Sequence, residues 1–595
     1  MADPVGEWVM RPSSCEGAVH GVILPDVTGS SSYPIEQLLA DASSWRDQDP
    51  DPNTRSSLSA LIDAAACGET DAAFDLGELF TGRIAFGTAG LRAALGPGPN
   101  RMNRLVVRQT TAGLMKWLPP GAKVVIGYDA RHGSADFASD TARVVAAAGG
   151  IAELLPAPLP TPVLAYAVLA RDADAGVMVT ASHNPPQDNG YKLYLADGIQ
   201  LVSPADAEIA SAIDAAALET IDVAEENDSN IITLDDSVAA GHIDVAVGVL
   251  AASERDVSVV YTAMHGVGGE HLQRAFAAAG FDPPAIVEEQ FAPDPDFPTA
   301  DFPNPEEPGA LDLAIALATR VGADGIVAND PDADRLAMAV PARSGEIVAL
   351  SGDEIGVLLA DHLIRHRVGA DHPGGRVVAN SVVSSRMLAQ MAAHHGIDSV
   401  VTLTGFKWVA RPIVERPEAH YLLGYEEAIG YCVGGRVRDK DGISAALVAA
   451  EMLAVLKAQG QTVWDRLDAL AETHGVHLTG PVTVRLEGAG GVAKRQALMD
   501  RVIAAPPKSL AGEPLTSSQN LAAGVDNDPA TLPPTTGEIL FYGTTRVIVR
   551  PSGTEPKLKA YIEVVEPVEG DLDSARAVAT ERLAAVQGEL KTWLV

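Results

Sequence analysis

Short β-branched segments followed by Ala/Leu-rich helical ones recur along this 595-residue chain. That alternation restricts it to an α/β fold class. Lys123–Tyr128 leads into a helical pattern near Phe137–Gly149, Val257–Thr262 into Glu270–Gly280, and Arg376–Asn380 into Ser385–His395. Asp441 is placed to cap a helix over Gly442–Gln459. The unit returns every 100 to 120 residues or so, about three times the length of a short solenoid repeat. A chain this long makes roughly three to five domains. Asp222–Asn230, rich in acidic residues and Asn, reads as a linker, and the polar, Pro-rich Ala505–Gly537 as a surface excursion within the last domain. Residues 1–36 lack periodicity and read as an extension.

Four loops carry chemistry. Thr180-Ala-Ser-His-Asn-Pro-Pro-Gln-Asp-Asn-Gly-Tyr-Lys192 follows the apolar strand Ala175–Val179, so Ser182 stands at a strand end, where open α/β sheets hold ligands. Pro185 and Pro186 stop the chain continuing as helix or ladder, and Asn189-Gly190 is expected to turn it back, returning Lys192 toward Ser182 and His183. No Gly-x-Ser-x-Gly elbow is present, which argues against an α/β-hydrolase triad. Asn329-Asp330-Pro331-Asp332-Ala333-Asp334-Arg335 follows the strand Gly325–Ala328. In extended backbone its three carboxylates face one way and repel unless a cation neutralises them; oxygen-only ligands suit Mg²⁺. Arg335 beside them favours a phosphate site.

Arg550-Pro-Ser552-Gly553-Thr554-Glu-Pro-Lys557 gathers hydroxyl donors, a small residue and charged ends suited to a phosphate. It lacks the Gly-Lys-Ser/Thr of a P-loop. Glu426 and Glu427, beside Gly424 and Gly430, can accept hydrogen bonds from adjacent sugar hydroxyls. Taken singly, each of these loops is also compatible with an ordinary polar turn.

Taken in order, Ser-His-Asn-Pro, Asp-Pro-Asp-Ala-Asp-Arg, the Glu-Glu loop and Arg-Pro-Ser-Gly-Thr-Glu-Pro resemble the α-D-phosphohexomutase superfamily. Phe86-Gly-Thr88-Ala-Gly-Leu-Arg92, Tyr128-Asp-Ala-Arg131-His-Gly-Ser134 and Thr404-Gly405-Phe-Lys407 are similar to further motifs of that group. Ala93 and Ala428 depart from its common pattern, and Glu-Glu-Ala-Ile-Gly resembles the branch that mixes phosphoglucomutase and phosphopentomutase activities.

The resemblance implies four α/β domains around a central cleft. The first three would be similar mixed-sheet units (37–235, 236–345, 346–475) and the fourth distinct (476–595). It implies transfer of phosphate between the 1- and 6-positions (or 5-position) of a sugar, through a phosphoserine and a bisphosphorylated intermediate such as glucose-1,6-bisphosphate. Ser182 would carry the phosphate and, with Asp330, Asp332 and Asp334, hold Mg²⁺. Lys192, Arg92 and His183 would move protons or stabilise charge, the resemblance favouring Lys192 and Arg92; Lys192 as acid/base needs a depressed pKa, which neighbouring arginines and partial burial can supply. Glu426 and Glu427 would hold sugar hydroxyls. Arg550, Ser552, Gly553, Thr554 and Lys557, assisted by Lys407, would hold the distal phosphate. Thr88, Arg131, Arg335 and Gly405 complete the expected substrate contacts. Glucose or mannose phosphates are the first expectation and ribose phosphates the alternative; a metal-dependent sugar phosphatase is the competing class.

Composition narrows the partners. A formal charge of −36 argues against nucleic acid and anionic membranes and makes the basic residues within the motifs more informative. The charge-free stretch Leu154–Ala170 contains four prolines, so it does not read as a membrane span. Cys15, Cys67 and Cys432 have no metal spacing and suggest no disulfide framework. With no recognisable signal peptide, the expectation is a cytoplasmic monomer or homodimer acting on small sugar phosphates.

Overall fold

The computed structural model describes residues 34–87, 90–367, 374–486, 491–523, 533–551 and 557–594. Of the aperiodic first 36 residues only Pro34, Ile35 and Glu36 are among these, so the expected extension lies outside the described residues. The described chain up to Ile84, together with Ala93–Val106, forms one compact unit. Its helices Ile35–Gln48, Pro52–Ala66 and Thr70–Phe80 bury Leu38, Trp45, Leu58, Ile62 and Leu76. Asp51 caps the second helix by accepting from Asn53 N, with Pro52 in the first turn.

The second unit carries four sheets. In the first, Lys123–Tyr128 pairs in parallel with Ile151–Leu154 and Ala175–Val179, and Ile231–Thr233 extends the parallel set. Asp188–Leu195 then returns antiparallel against Ala175–Val179. In the second, Val259–Thr262 is parallel to Ala285–Ile286 and Gly325–Ala328, and Ala337–Pro341 returns antiparallel. In the third, Arg376–Ser381 is parallel to Asp398–Thr402 and His420–Glu426, and Gly430–Val433 returns antiparallel. All three therefore share the same device, a parallel strand and an antiparallel return, and the serine, aspartate and glutamate loops are the three connections.

The fourth sheet runs Val476–Arg485, Lys557–Glu566, Thr545–Pro551, Glu538–Tyr542, Glu513–Asn520, Ser509–Leu510, and every resolved pair in it is antiparallel. Three mixed sheets followed by a distinct antiparallel one match the α/β fold class read from the sequence. Helix Gly442–Ala458 is buried along most of its length, and one continuous apolar core joins it to the second and third sheets. Asp441 caps it, accepting from Ile443 N and Ser444 N, as anticipated.

Three local expectations fail. Asn189 and Gly190 form no turn but lie inside the return strand. Gly190 is needed there for close packing, since a Cβ would meet Thr180 O at 2.6 Å and Leu91 O at 2.7 Å. The stretch 505–537 is no mere excursion, because Glu513–Asn520 pairs with Glu538–Tyr542 inside the last sheet; its polar residues suit the exposed face of an antiparallel sheet. Cys432 is a buried free thiol, but Cys67 is disulfide-bonded, against the expectation from the cysteine pattern. Among the described residues no single helix is long and apolar enough to cross a membrane.

Gly266 supports the aspartate loop from beneath. A Cβ there would lie 2.3 Å from Pro331 Cα, and the next residue, Val267, donates its N–H to Pro331 O at 2.8 Å. Backbone cannot swing aside as a side chain can, so Gly266→Ala is expected to destabilise the protein by about 1–3 kcal/mol. Urea unfolding of the variant checks this; an unchanged midpoint would mean the contact is easily relieved.

Candidate active site

Ser182 sits at φ 52°, a left-handed conformation held only when surrounding contacts over-determine it. Those contacts are visible. Ser182 N donates to Thr180 Oγ1 at 2.8 Å and Thr180 Oγ1 to Asp129 Oδ2 at 2.6 Å. The Arg131 guanidinium donates to four backbone carbonyls of the loop: Ser182 and Asn184 at 2.5 Å, Pro185 at 2.9 Å and Asp188 at 3.2 Å. Arg131 thus shapes the serine loop. Ser182 Oγ donates to Asp330 Oδ2 at 2.7 Å and lies 3.2 Å from His183 Nδ1. Burial, with Arg335 and Arg92 nearby, pushes His183 well below its usual pKa, leaving the imidazole neutral. Arg92 is exposed and donates to Asn184 Oδ1 at 3.0 Å.

The three aspartates are gathered by a turn, not by extended backbone as the alternation suggested. Ala333, at φ 54°, reverses the chain, and one oxygen from each of Asp330, Asp332 and Asp334 lies within 4.8 Å of the others. All three are buried. Burial and the repulsion of its two neighbours drive Asp330 well above the usual carboxylate range. In Asp332 the same burial is overcome by Lys192, which holds the carboxyl low.

Lys192 Nζ donates to Asp332 Oδ2 at 2.6 Å and Asp334 Oδ2 at 2.9 Å. Burial alone would depress this lysine, but the two carboxylates outweigh it and its pKa rises. The expected depression is absent because the aspartates, not the arginines, are its nearest neighbours. Thr161 Oγ1 also donates to Asp332 Oδ2, at 2.7 Å. Asp332 Oδ1 and Asp334 Oδ1 remain buried without a hydrogen-bond partner, and such orphaned anionic oxygens fit a divalent cation.

Arg335 and Lys440 join this turn to the glutamate loop. Arg335 Nη1 donates to Ala428 O at 3.2 Å, and Leu336 N donates to Ile429 O at 3.1 Å. Lys440 Nζ lies 3.1 Å from Asp334 Oδ2 and 5.3 Å from the Phe406 ring centroid. Ile429, at φ 52°, is the third left-handed residue in the three equivalent loops. Glu426 Oε1 accepts from Gly405 N at 2.5 Å. Glu427 Oε2 accepts from Ser381 Oγ at 3.2 Å and Ser384 Oγ at 3.3 Å. Lys407 is half-buried, and burial lowers its pKa. Arg550 donates to Thr404 Oγ1, which brings the last sheet to the 404–407 turn.

Ser182, His183, Lys192, Arg92 and the aspartates therefore gather at one focus. Arg335, Gly405, Glu426, Glu427 and Arg550 adjoin it through the contacts above, and Lys407, two residues beyond Gly405, is close enough to feel the charges of Glu426 and Arg550. Lys557 opens the strand Lys557–Glu566. Thr88, Ser552, Gly553 and Thr554 lie outside the described residues. Sequence reasoning assigned no role to Asp129, Thr180, Thr161 or Lys440. The first two stood within quoted motifs; Lys440 lies in the charged run Arg438-Asp-Lys-Asp441 just before an apolar helix, a signal that was readable.

A serine, an acidic trio and a carboxylate clamp on successive α/β sheets are the arrangement of a phosphosugar mutase. Four family models match in order: phosphoglucomutase/phosphomannomutase α/β/α domain I over 83–220, domain II over 238–344, domain III over 351–474 and the C-terminal domain over 512–577. The chain belongs to the phosphoglucomutase/phosphomannomutase family and is an isomerase of that class. It is 43% identical over 78% of its length to a Haemophilus influenzae protein named a probable phosphomannomutase, covering 93% of that protein. It is 34% identical to a Mus musculus phosphopentomutase, over 91% of this chain and 93% of that one. A Burkholderia thailandensis family structure superposes with TM-score 0.61 at 22% identity, over 84% of this chain and 96% of that one, a likeness of fold.

Glu427 has a pH signature. Burial, then repulsion from Glu426 and Asp353, pushes Glu427 up to about 7 from the ordinary 4.5. Between those values the folded protein keeps a proton that the unfolded chain has released. Stability contributed by this group is complete below the unfolded value and is lost as pH rises through the folded one. Glu427→Gln is expected to flatten the fall in melting temperature across about pH 5–7, leaving the same-signed share of Asp353, raised to about 6. Thermal melts of both proteins across that range check it; an unchanged slope would mean Glu427 is ionised in the folded state.

Proposed function

We propose that the protein interconverts 1-phospho and 6-phospho hexoses, glucose and mannose phosphates foremost, with Ser182 as temporary phosphate carrier. The observation that carries this reading is the Ser182 hydroxyl donating at 2.7 Å into a buried aspartate trio with two unpartnered oxygens. The 43% identity to the Haemophilus influenzae protein named a probable phosphomannomutase supports hexoses. The 34% identity to a phosphopentomutase makes ribose phosphates the comparison substrate.

Asp330, Asp332, Asp334 and the Ser182 oxygen are the residues that would hold Mg²⁺, and their all-oxygen set suits it. The ion supplies charge neutralisation during phosphoryl transfer. The phosphoryl group passes from Ser182 Oγ to the free sugar hydroxyl, giving a bisphosphate such as glucose-1,6-bisphosphate. The sugar turns over and its other phosphate returns to the serine. Lys192, Arg92 and His183 are the candidates for taking the hydroxyl proton and stabilising the charge, with the family resemblance favouring Lys192 and Arg92. Glu426 and Glu427 take sugar hydroxyls. Arg550, Lys407 and Lys557, with Ser552, Gly553 and Thr554, take the distal phosphate, and Thr88, Arg335 and Gly405 line the same site. Arg131 acts through the serine loop.

We take the domains as 37–235, 236–345, 346–475 and 476–595, with 1–36 as extension. The protein works as a cytoplasmic monomer or homodimer without nucleic-acid or membrane partners.

Two measurements test the proposal. Side-by-side kcat/KM on glucose-1-, mannose-1- and ribose-1-phosphate is expected to favour a hexose; a preference for ribose-1-phosphate would move the assignment to a pentomutase, and release of inorganic phosphate to a phosphatase. Ser182→Ala is expected to lower kcat by roughly three orders of magnitude or more and to remove a phosphate adduct from the intact mass. Near-normal isomerisation by this variant would end the phosphoserine scheme.

A further inference from the structure

The strand pair Thr545–Pro551 and Lys557–Glu566 carries Arg550 and Lys557 at one end. Farther along, Arg546 and Glu563 stand directly opposite each other in register, with Arg546 Nη2 3.1 Å from Glu563 Oε2. Glu563 is buried and is almost fully occupied. Its Oε1 accepts from Ser385 Oγ at 2.9 Å and Arg386 N at 2.7 Å, and Oε2 from Arg386 Nε at 2.6 Å. His477 Nδ1 lies 2.9 Å from Oε1. Arg546 Nη2 also donates to Ser384 O at 2.6 Å. The last sheet therefore grips the backbone and side chains of residues 384–386, which follow the third-sheet strand Arg376–Ser381.

The same short segment holds the sugar clamp. Ser384 Oγ donates to Glu427 Oε2 at 3.3 Å and accepts from Glu427 N at 3.0 Å. Ser384 Oγ is 2.8 Å from Ser381 Oγ, itself a donor to Glu427 Oε2 at 3.2 Å. Ser385 N donates to Asp353 Oδ1 at 2.7 Å, which also accepts from Tyr425 OH at 3.1 Å. The groups touching Glu563 thus begin at the residue next to the hydroxyl touching Glu427. A cluster serving only to bind two sheets together has no need to pass through the residue that orients the clamp.

We propose that Glu563, with Arg546, is a positioning residue that sets the sugar clamp: through Ser384–Arg386 it fixes Glu427, and so the hydroxyl pattern the site prefers. This rests on the reading of Glu427 as a sugar-hydroxyl ligand. It makes substrate discrimination depend on the seating of the same strand pair that bears Arg550 and Lys557. Glu563 touches no substrate itself.

The test is a double-mutant cycle on the full-length enzyme, reading the ratio of kcat/KM for glucose-1-phosphate over ribose-1-phosphate. Glu427→Gln and Glu563→Gln are each expected to change that ratio in the same direction, by about three- to tenfold, and their combination to change it little further, since coupled residues are non-additive. Ser385→Ala, which removes one hydroxyl from Glu563 and the Met387 N–H acceptor but leaves the other contacts of Glu563, is expected to move the ratio the same way by a smaller factor; it serves if Glu563→Gln does not fold. A ratio unchanged in Glu563→Gln and Ser385→Ala while Glu427→Gln shifts it overturns the proposal and spares the clamp. Additive effects in the double variant overturn it too. A ratio unmoved by Glu427→Gln removes the clamp reading and the proposal with it.

Discussion

Three buried carboxylates in five residues are the constraint on which the site depends. Asp330, Asp332 and Asp334 cannot share a water-poor turn as bare anions, so cations must be brought to them. Lys192 arrives from the return strand of the first sheet. Lys440 arrives from the approach to the buried helix beyond the third. Arg335 stands 3.9 Å from Asp334 and 4.0 Å from Asp330. Neutralising one turn thereby recruits the first and third sheets to the second. Breaking a buried pair by deleting one partner is far costlier than a lost surface bridge.

The repeated hairpin is what makes that recruitment possible. Each of the first three sheets contains a parallel strand, a tight connection and an antiparallel return. The connections hold Ser182, Ala333 and Ile429 at φ between 52° and 54°. None is glycine, so each conformation costs of order 1–3 kcal/mol and must be held by its surroundings. For the serine those surroundings are Asp129, Thr180 and Arg131. For Ile429 they include the Leu336 N–H and the tight approach at Gly352, where a Cβ would meet Glu427 O at 1.9 Å. Strain stored at three loops and paired across them gives a pre-organised site.

Electrostatics then divides roles among residues of similar type. Burial and like charges lift Asp330 while Lys192 holds Asp332 down. Burial with the nearby arginines keeps His183 neutral. The side chain richest in hydrogen bonds to the serine loop, Arg131, spends them on carbonyls, a role closer to scaffolding than to binding.

The α/β class, the strands Ala175–Val179 and Gly325–Ala328, the Asp441 cap and the four functional loops were legible in the chain, because each rests on periodicity or on residues within a few positions of one another. Side-chain alternation along a strand and a cap's reach to the next amides are local physics. Local reading erred where a long-range contact decided the outcome. Asn189-Gly190 has turn chemistry, yet Gly190 serves close packing against Thr180 and Leu91. The polar run after Ala505 has loop composition, yet Glu513–Asn520 within it finds a strand partner. Lys192 was expected to be depressed by arginines, yet its neighbours are Asp332 and Asp334, 140 and 142 residues away. Which charges meet, and hence which groups hold protons, was decided only when the sheets came together, because Coulomb energies fall with distance in space and take no account of separation along the chain.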